Sequence, residues 1–208
     1  IIDQPPLIFH HNDVRDAEVR TVVEKSLADY LKSLEPHKRL LLNRYQIVDT
    51  AFKVVGVGSV GTFCGIVLFM SGNGDPLFIQ IKQARPSVLE PYAGASLFPH
   101  AGQRVVAGQK LMQAAGDMFL GWYTGAAQQG MQFYTRQLKD AKIKPVVEVM
   151  APADLKGYAT LCGRALARAH TRSGDAAVLA GYMGKGSAFE EALVKFSVAY
   201  ADQNERDH

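Results

Sequence analysis

The stretch that decides the fold is Lys53–Thr62, with the sequence KVVGVGSVGT, a glycine-rich turn between two apolar runs. Gly56, Gly58 and Gly61 form the pattern G-x-G-x-x-G. Glycine lets the backbone turn tightly and bring its N–H groups close to an anion, because no Cβ stands in the way. The spacing alone does not choose between two fold classes. A dinucleotide-binding fold continues into a helix, whereas a kinase-like nucleotide lobe continues into a second strand.

The residues after the loop favour the second fold class. Residues 62–70 are rich in β-branched and aromatic side chains, and the turn 71–76 leads into a further apolar run, 77–83, with Lys82 near its end. A dinucleotide site also expects an acidic ribose-binding residue about 20 positions after the glycines, and residues 80–82 contain none. The order of strand, glycine loop, strand, turn and strand with lysine predicts a kinase-like lobe.

This prediction assigns phosphate binding to the glycine loop and to Lys82. The loop residues concerned share one short turn and are Gly56, Val57, Gly58, Ser59 and Gly61. The structural alternative is that the glycines only form a tight hairpin turn and that Lys82 is a solvated residue at a strand end. The distance of about twenty residues between loop and lysine favours the phosphate-binding interpretation.

The remaining periodicity predicts an α+β protein. A helical segment is expected over 1–45, and a β-rich nucleotide-binding lobe over 46–142 with five antiparallel strands and one intervening helix at about 102–115. The last two strands are predicted at 118–123 and 132–138. Residues 143–208 are expected to form a helical part.

Composition limits the function classes. The 208 residues are 48% hydrophobic and 21% charged, which predicts a packed core rather than disorder. A net charge of +3 is too small to argue for nucleic-acid binding. No signal peptide and no apolar run of about 18 residues occurs, so we expect no membrane segment and a cytoplasmic location. Cys64 and Cys162 lack neighbours at metal-ligand spacing and are predicted to be buried free thiols.

The chain resembles a known family, the bacterial proteins catalogued as domain of unknown function 2252. The resemblance covers about Leu40–Asp202. The motifs that carry it are KVVGVGSVGT (53–62), PLFIQIK (76–82), ARPSVLE (84–90), GQRVV (102–106), FYTRQL (133–138) and LARAHTRSGD (166–175).

That family is distantly similar to protein kinases and aminoglycoside phosphotransferases. The resemblance implies ATP as the ligand, with Lys82 holding its phosphates. Full-length members carry an upstream Gly-Asp-x-His-x-x-Asn-Phe-Gly segment and an Asp-Phe-Asp segment that look like a catalytic loop and a metal-binding aspartate, and neither occurs in this chain. Together with a first residue, Ile1, that is not methionine, this predicts a fragment, the C-terminal half of a longer protein.

Two further roles follow from the kinase-like prediction. In a kinase-like lobe the phosphate-binding lysine, here Lys82, is paired with a glutamate, but the predicted helix 102–115 contains none. Glu90, in a predicted loop, is therefore the nearest acidic candidate, and Gln109 could serve as a neutral partner. Gln137 and Leu138, at the end of the fifth strand, are expected to contact adenine through backbone groups. His170 and Asp175 are interpreted as a helix end and a turn, because Ala180 stands where a catalytic loop has asparagine.

Two hypotheses from different classes remain open. The first is the nucleotide-binding portion of a bacterial phosphotransferase of unknown substrate, inactive alone, with Mg²⁺ held only together with the missing half. The second is a non-catalytic binding or interaction domain, or a split partner, that retains the lobe. In both cases an unpaired lobe exposes an apolar face, which predicts an N-terminal half, a partner chain or an oligomer.

Overall fold

A computed structural model describes residues 1–10, 13–56, 60–126, 130–138 and 145–208, with side chains in the first helix described from residue 17. The predicted loop residues Val57, Gly58 and Ser59 lie outside the described part, as does residue 142, the predicted end of the lobe. The chain divides into two compact units, Ile1–Val149 and Met150–His208.

The first unit is built on one antiparallel sheet of six strands. The strands are β1 (Ile8–Phe9), β2 (Tyr45–Lys53), β3 (Cys64–Ser71), β4 (Pro76–Ala84), β5 (Gly121–Thr124) and β6 (Gln132–Gln137). Their order across the sheet is β1-β2-β3-β4-β6-β5, and each neighbouring pair is antiparallel.

The α+β class and the antiparallel sheet are therefore confirmed, whereas the count of five strands misses β1. Phe9 and Ile8 pair with Phe52 and Lys53, and the rings of Phe9 and Phe52 stack at 5.7 Å. A strand of two residues has no period that a sequence pattern can reveal.

The helices of this unit are α1 (Asp13–Ser33), α2 (Pro36–Leu42), the short α3 (Glu90–Ala93) and α4 (Ala101–Met112), with a 3₁₀ turn at Val147–Val149. The helix was predicted to end at residue 115, and the observed α4 ends three residues earlier, at Met112. It is capped at its start by the imidazole of His100, whose Nδ1 accepts a hydrogen bond from the Gln103 N–H at 3.2 Å.

Helix α1 covers one face of the sheet and forms the main core. Side chains alternate between the two faces of a strand, so every second residue of β3, β4 and β6 points towards α1. The buried side chains of this core are Tyr30, Leu34, Leu42, Val67, Phe69, Leu77, Ile79, Ile81, Phe119, Tyr123 and Phe133. Burying a large apolar side chain contributes about 1.5–3 kcal/mol.

Two buried hydroxyls of this core are hydrogen-bonded to backbone carbonyls. The Tyr30 hydroxyl donates to the Phe119 carbonyl at 2.7 Å, and the Thr135 hydroxyl lies 3.3 Å from the carbonyls of Phe119 and Gly121. These bonds fix the segment that leads into β5, because an unpaired buried hydroxyl is costly. The α1 face is thus a closed structural core.

The second unit consists of α5 (Pro152–His170), α6 (Ala176–Met183) and α7 (Ala188–Asp207). Asp175 caps α6, since its carboxylate accepts hydrogen bonds from Ala177 N at 2.8 Å and Val178 N at 3.1 Å. No helix in the described part of the chain is long and apolar enough to cross a membrane.

Candidate functional site

The sheet face opposite α1 brings together polar side chains that are far apart in the sequence. In the strand register, Lys82 of β4 lies between Cys64 of β3 and Tyr134 of β6. Gln80, two residues earlier, lies opposite Arg136. Residues two apart on a strand share a face, so these side chains form two adjacent rows.

Three cations act on the centre of this face. Burial raises the pKa of the Cys64 thiol, and a hydrogen bond from Gln80 and the positive charges of Lys82, Lys53 and Arg136 oppose that rise. The three cationic groups therefore lie within electrostatic reach of one sulfur atom. Among the described residues, none of the three forms an ion pair with a carboxylate.

A buried glutamine fixes one of these cations. The Gln80 side chain is 2% exposed and uses both ends of its carboxamide. Its Nε2 donates to Cys64 Sγ at 3.3 Å, and its Oε1 accepts from Arg136 Nε at 3.0 Å. Arg136 is thereby held by an element of the core rather than by solvent, which reduces the entropy lost when the guanidinium binds a ligand.

The described part of the glycine loop is anchored close to the same strands. Gly61 has φ of 70°, a conformation that favours glycine, and its carbonyl accepts a hydrogen bond from the Arg85 guanidinium at 2.6 Å. The Arg104 guanidinium of α4 in turn donates to the Arg85 carbonyl at 3.0 Å. These two bonds connect the end of the loop to the end of β4 and to α4.

A pocket of about 440 Å³ lies beside the described ends of the loop. The residues that line it are mostly apolar or aromatic, and Lys53 adds a positive charge. The lining residues are Phe9, Phe52, Lys53, Val54, Val55, Val60, Gly61, Thr62, Phe63 and Cys64. The size suits a small organic molecule.

The predicted acidic partner of Lys82 is engaged elsewhere. Glu90 begins the short helix α3 instead of lying in a loop, and its Oε1 accepts a hydrogen bond from the Ser87 N–H at 3.2 Å. Helix α4 contains no glutamate, as its sequence indicated. The ion pair between Lys82 and Glu90 is not among the contacts of the described residues, so the role of Glu90 stays a prediction.

The predicted adenine-contacting residues line a second pocket, of about 200 Å³, together with Arg136 and Gln109. Their N–H groups are already used. The Gln137 N–H donates to Asp117 Oδ2 at 2.6 Å, and the Leu138 N–H donates to the Phe78 carbonyl at 2.9 Å. A hinge contact through these donors would require the displacement of protein acceptors.

Sequence reasoning missed Gln80, Arg136 and Asp117. The alternation in residues 77–83 and 132–137 places Gln80 and Arg136 on the same faces as Lys82 and Tyr134, but only the register between strands shows that they meet. Within the part of the chain that the structure describes, no group of three His, Cys, Asp or Glu side chains is arranged to hold a metal ion. Cys64 is a buried free thiol, as predicted, whereas the free thiol Cys162 is only half-buried.

Comparison with known proteins places the chain in a family. The family model described as "Uncharacterized protein conserved in bacteria (DUF2252)" matches residues 1–208. The chain belongs to this family. The DUF2252 match extends the resemblance seen over 40–202 to all 208 residues, and the family description names no activity. Searches of curated proteins and of solved structures returned no significant match.

Proposed function

We propose that this chain binds the phosphates of a nucleotide, with ATP as the ligand, as part of a kinase-like phosphotransferase. The observation that carries the proposal is the cluster of Lys53, Lys82 and Arg136 around Cys64, next to the anchored end of the glycine loop. The three side chains are half-buried and carry like charges, and a bound polyanion would compensate their mutual repulsion.

The order of elements supports the same proposal. The glycine loop connects β2 to β3, Lys82 lies on the next strand, β4, and α4 follows. Protein kinases place a glycine-rich loop, a phosphate-binding lysine and a helix in this order along the chain. The backbone N–H groups of the loop and the Lys82 ammonium would then bind neighbouring phosphate oxygens.

Catalysis by this chain alone is not part of the proposal. The Gly-Asp-x-His-x-x-Asn-Phe-Gly and Asp-Phe-Asp motifs do not occur in the 208 residues. We propose that the catalytic base and the carboxylates for Mg²⁺ are supplied by an N-terminal half of the same polypeptide or by a partner chain. The chain alone then binds ATP weakly and transfers no phosphate, because the phosphate charge lacks its metal.

The test compares two lysine variants. Lys82→Met keeps the aliphatic stem and removes the charge, and we expect it to weaken ATP binding by at least about tenfold, because a hydrogen bond to a charged group contributes about 1.5–3 kcal/mol. The matched control is Lys32→Met, on an exposed lysine of α1 that pairs with Asp29. Isothermal titration calorimetry measures both, at low and at high salt.

Equal ATP affinity of Lys82→Met and the unmodified chain would refute the assignment of Lys82. A Lys32→Met variant that weakens binding equally would show a nonspecific charge effect. Binding should also weaken as salt increases, because the attraction between exposed charges is screened.

An interaction domain without catalysis is the second candidate, and an observation in the second unit favours it. Helix α7 exposes Val194, Phe196 and Tyr200, with Phe196 63% exposed. The rings of Phe196 and Tyr200 stack on each other at 5.6 Å, so two aromatic side chains are exposed side by side. Loss of ATP binding in every condition, together with self-association that Phe196→Ser abolishes in light scattering, would support this candidate.

A further inference from the structure

We propose that the pocket between α4 and the end of β6 is a binding site for a small polar molecule, next to the proposed phosphate site, with which it shares Arg136. The molecule carries an oxyanion, as a phosphate or a carboxylate, and at least one hydroxyl or amine donor. The polar groups that define the site are Gln109, Gln113, Asp117, Arg136 and Gln137. This inference does not rest on nucleotide binding and is tested without nucleotide.

Arg136 provides the oxyanion contact. Its Nε is held by Gln80, and within the described part of the chain its two terminal nitrogens have no hydrogen-bond partner. A guanidinium offers five N–H donors in a rigid fork that matches two oxygens of a phosphate or carboxylate. Because Gln80 is buried and is itself bound to Cys64, the fork is oriented before the ligand arrives.

Asp117 provides the contact to the ligand donor. Its Oδ1 accepts from the Phe119 N–H at 2.8 Å and its Oδ2 from the Gln137 N–H at 2.6 Å. A carboxylate has about four acceptor positions, so about two remain. Asp117 and Arg136 line the same pocket but form no ion pair within 4.0 Å, so their opposite charges do not cancel by direct contact.

The other polar side chains of the pocket are neutral. Gln109 and Gln113 lie four residues apart at the end of α4, so their carboxamides lie on one side of that helix terminus. The pocket has a volume of about 200 Å³ and is open to solvent on one side, so it admits a molecule of glycerol phosphate size. A cation, a carboxylate and amides that line one pocket favour a ligand with both acceptors and donors.

The experiment uses the full chain and four probes. Glycerol 3-phosphate and glycerate share hydroxyl donors but carry a phosphate and a carboxylate, respectively; inorganic phosphate and glycerol each supply one half of the proposed chemistry. Calorimetry measures affinity, and the ¹⁵N signal of Arg136 Nε reports the contact directly. We expect saturable binding of one or both complete probes, weaker binding of each half, and a shift of the Arg136 signal.

Two variants of Arg136 test the proposed contact between its guanidinium and the oxyanion. Arg136→Gln should weaken binding of the complete probe by at least about tenfold, and Arg136→Lys should weaken it severalfold, because lysine keeps the charge but loses the fork. The matched control Arg20→Gln removes a guanidinium from α1, where it pairs with Glu24, and should leave binding unchanged.

Gln80 is tested as a positioning residue. Gln80→Met keeps the volume but removes the acceptor for Arg136 Nε, so the Arg136 signal should move to the position of a solvated arginine and affinity should fall severalfold. Binding of glycerol 3-phosphate alone would identify a phosphate ligand, and binding of glycerate alone a carboxylate ligand. No saturable binding of either probe, or equal binding by Arg136→Gln, would overturn the proposal.

Discussion

A methyl group added at Gly102 is expected to separate α4 from the sheet. The Cβ of an alanine there would overlap the Phe133 carbonyl oxygen and would lie 2.9 Å from the Phe133 carbonyl carbon and from His100 Cε1. The first of these neighbours is backbone in the middle of β6, which cannot rotate away. The last is the ring that caps α4, so the same substitution also disturbs the cap.

The magnitude follows from two opposing effects. Overpacking a close contact costs typically 1–3 kcal/mol. Replacing glycine by alanine within a helix returns about 0.5–1 kcal/mol of that cost. We therefore expect Gly102→Ala to lower the free energy of unfolding by about 1–2 kcal/mol, and more if β6 cannot shift.

Gly108→Ala is the matched control on the same helix. Gly108 is exposed, and an added Cβ there meets nothing within 4 Å, so only the helix-propensity gain of about 0.5–1 kcal/mol applies. Denaturant titration should show opposite shifts, and the two melting temperatures should differ by about 3–12 °C. A Gly102→Ala protein as stable as Gly108→Ala would show that α4 does not rest on β6 as described.

Two other predictions concern helix caps. Burial lowers the pKa of the His100 imidazole from 6.5, so near that pH the unfolded chain binds more protons than the folded chain. The free energy of unfolding should therefore fall as the pH decreases from about 6.5 through the lowered pKa of the folded state. His100→Asn keeps a capping acceptor and should flatten this dependence in denaturant titrations between pH 5 and pH 7. Asp175→Ala removes the acceptor for two N–H groups of α6 and should lower the stability of the second unit by about 1 kcal/mol. Hydrogen exchange at the Ala177 and Val178 N–H groups measures this loss, and unchanged protection there would contradict the cap.

Local pattern was sufficient for much of the fold. The alternation of residues 77–83 and the turn at 71–76 predicted the β3–β4 hairpin that the structure has. The helix α4 was predicted within three residues at each end. The two shortest elements were not predicted. The strand β1 has only two residues and therefore no pattern, and the sequence of the single turn of α3 predicts a loop because Pro91 follows Glu90.

The candidate site was predicted only in part, for a related reason. Lys82 could be singled out because it stands about twenty residues after the glycine loop in the same chain segment. Arg136 lies 54 positions further on, and its proximity to Lys82 depends on which strand pairs with β4 and in what register. The hydrogen bond from Arg85 to the Gly61 carbonyl depends on the path of the backbone at Gly61, which residue spacing in the sequence does not predict.

The sequence of β4 nevertheless contains a sign that the two faces of the sheet have different roles. Leu77, Ile79 and Ile81 enter the α1 core, while Gln80 is equally buried on the other face with both ends of its carboxamide bonded. A purely structural face could hold an apolar pair at positions 80 and 136 at little cost, because replacing both partners of a buried hydrogen bond by apolar groups of similar shape is nearly neutral. The glutamine instead orients a guanidinium beside Lys82. We therefore expect the double variant Gln80→Met/Arg136→Met to lose ligand binding while its free energy of unfolding changes little, and that difference separates a binding face from a second core.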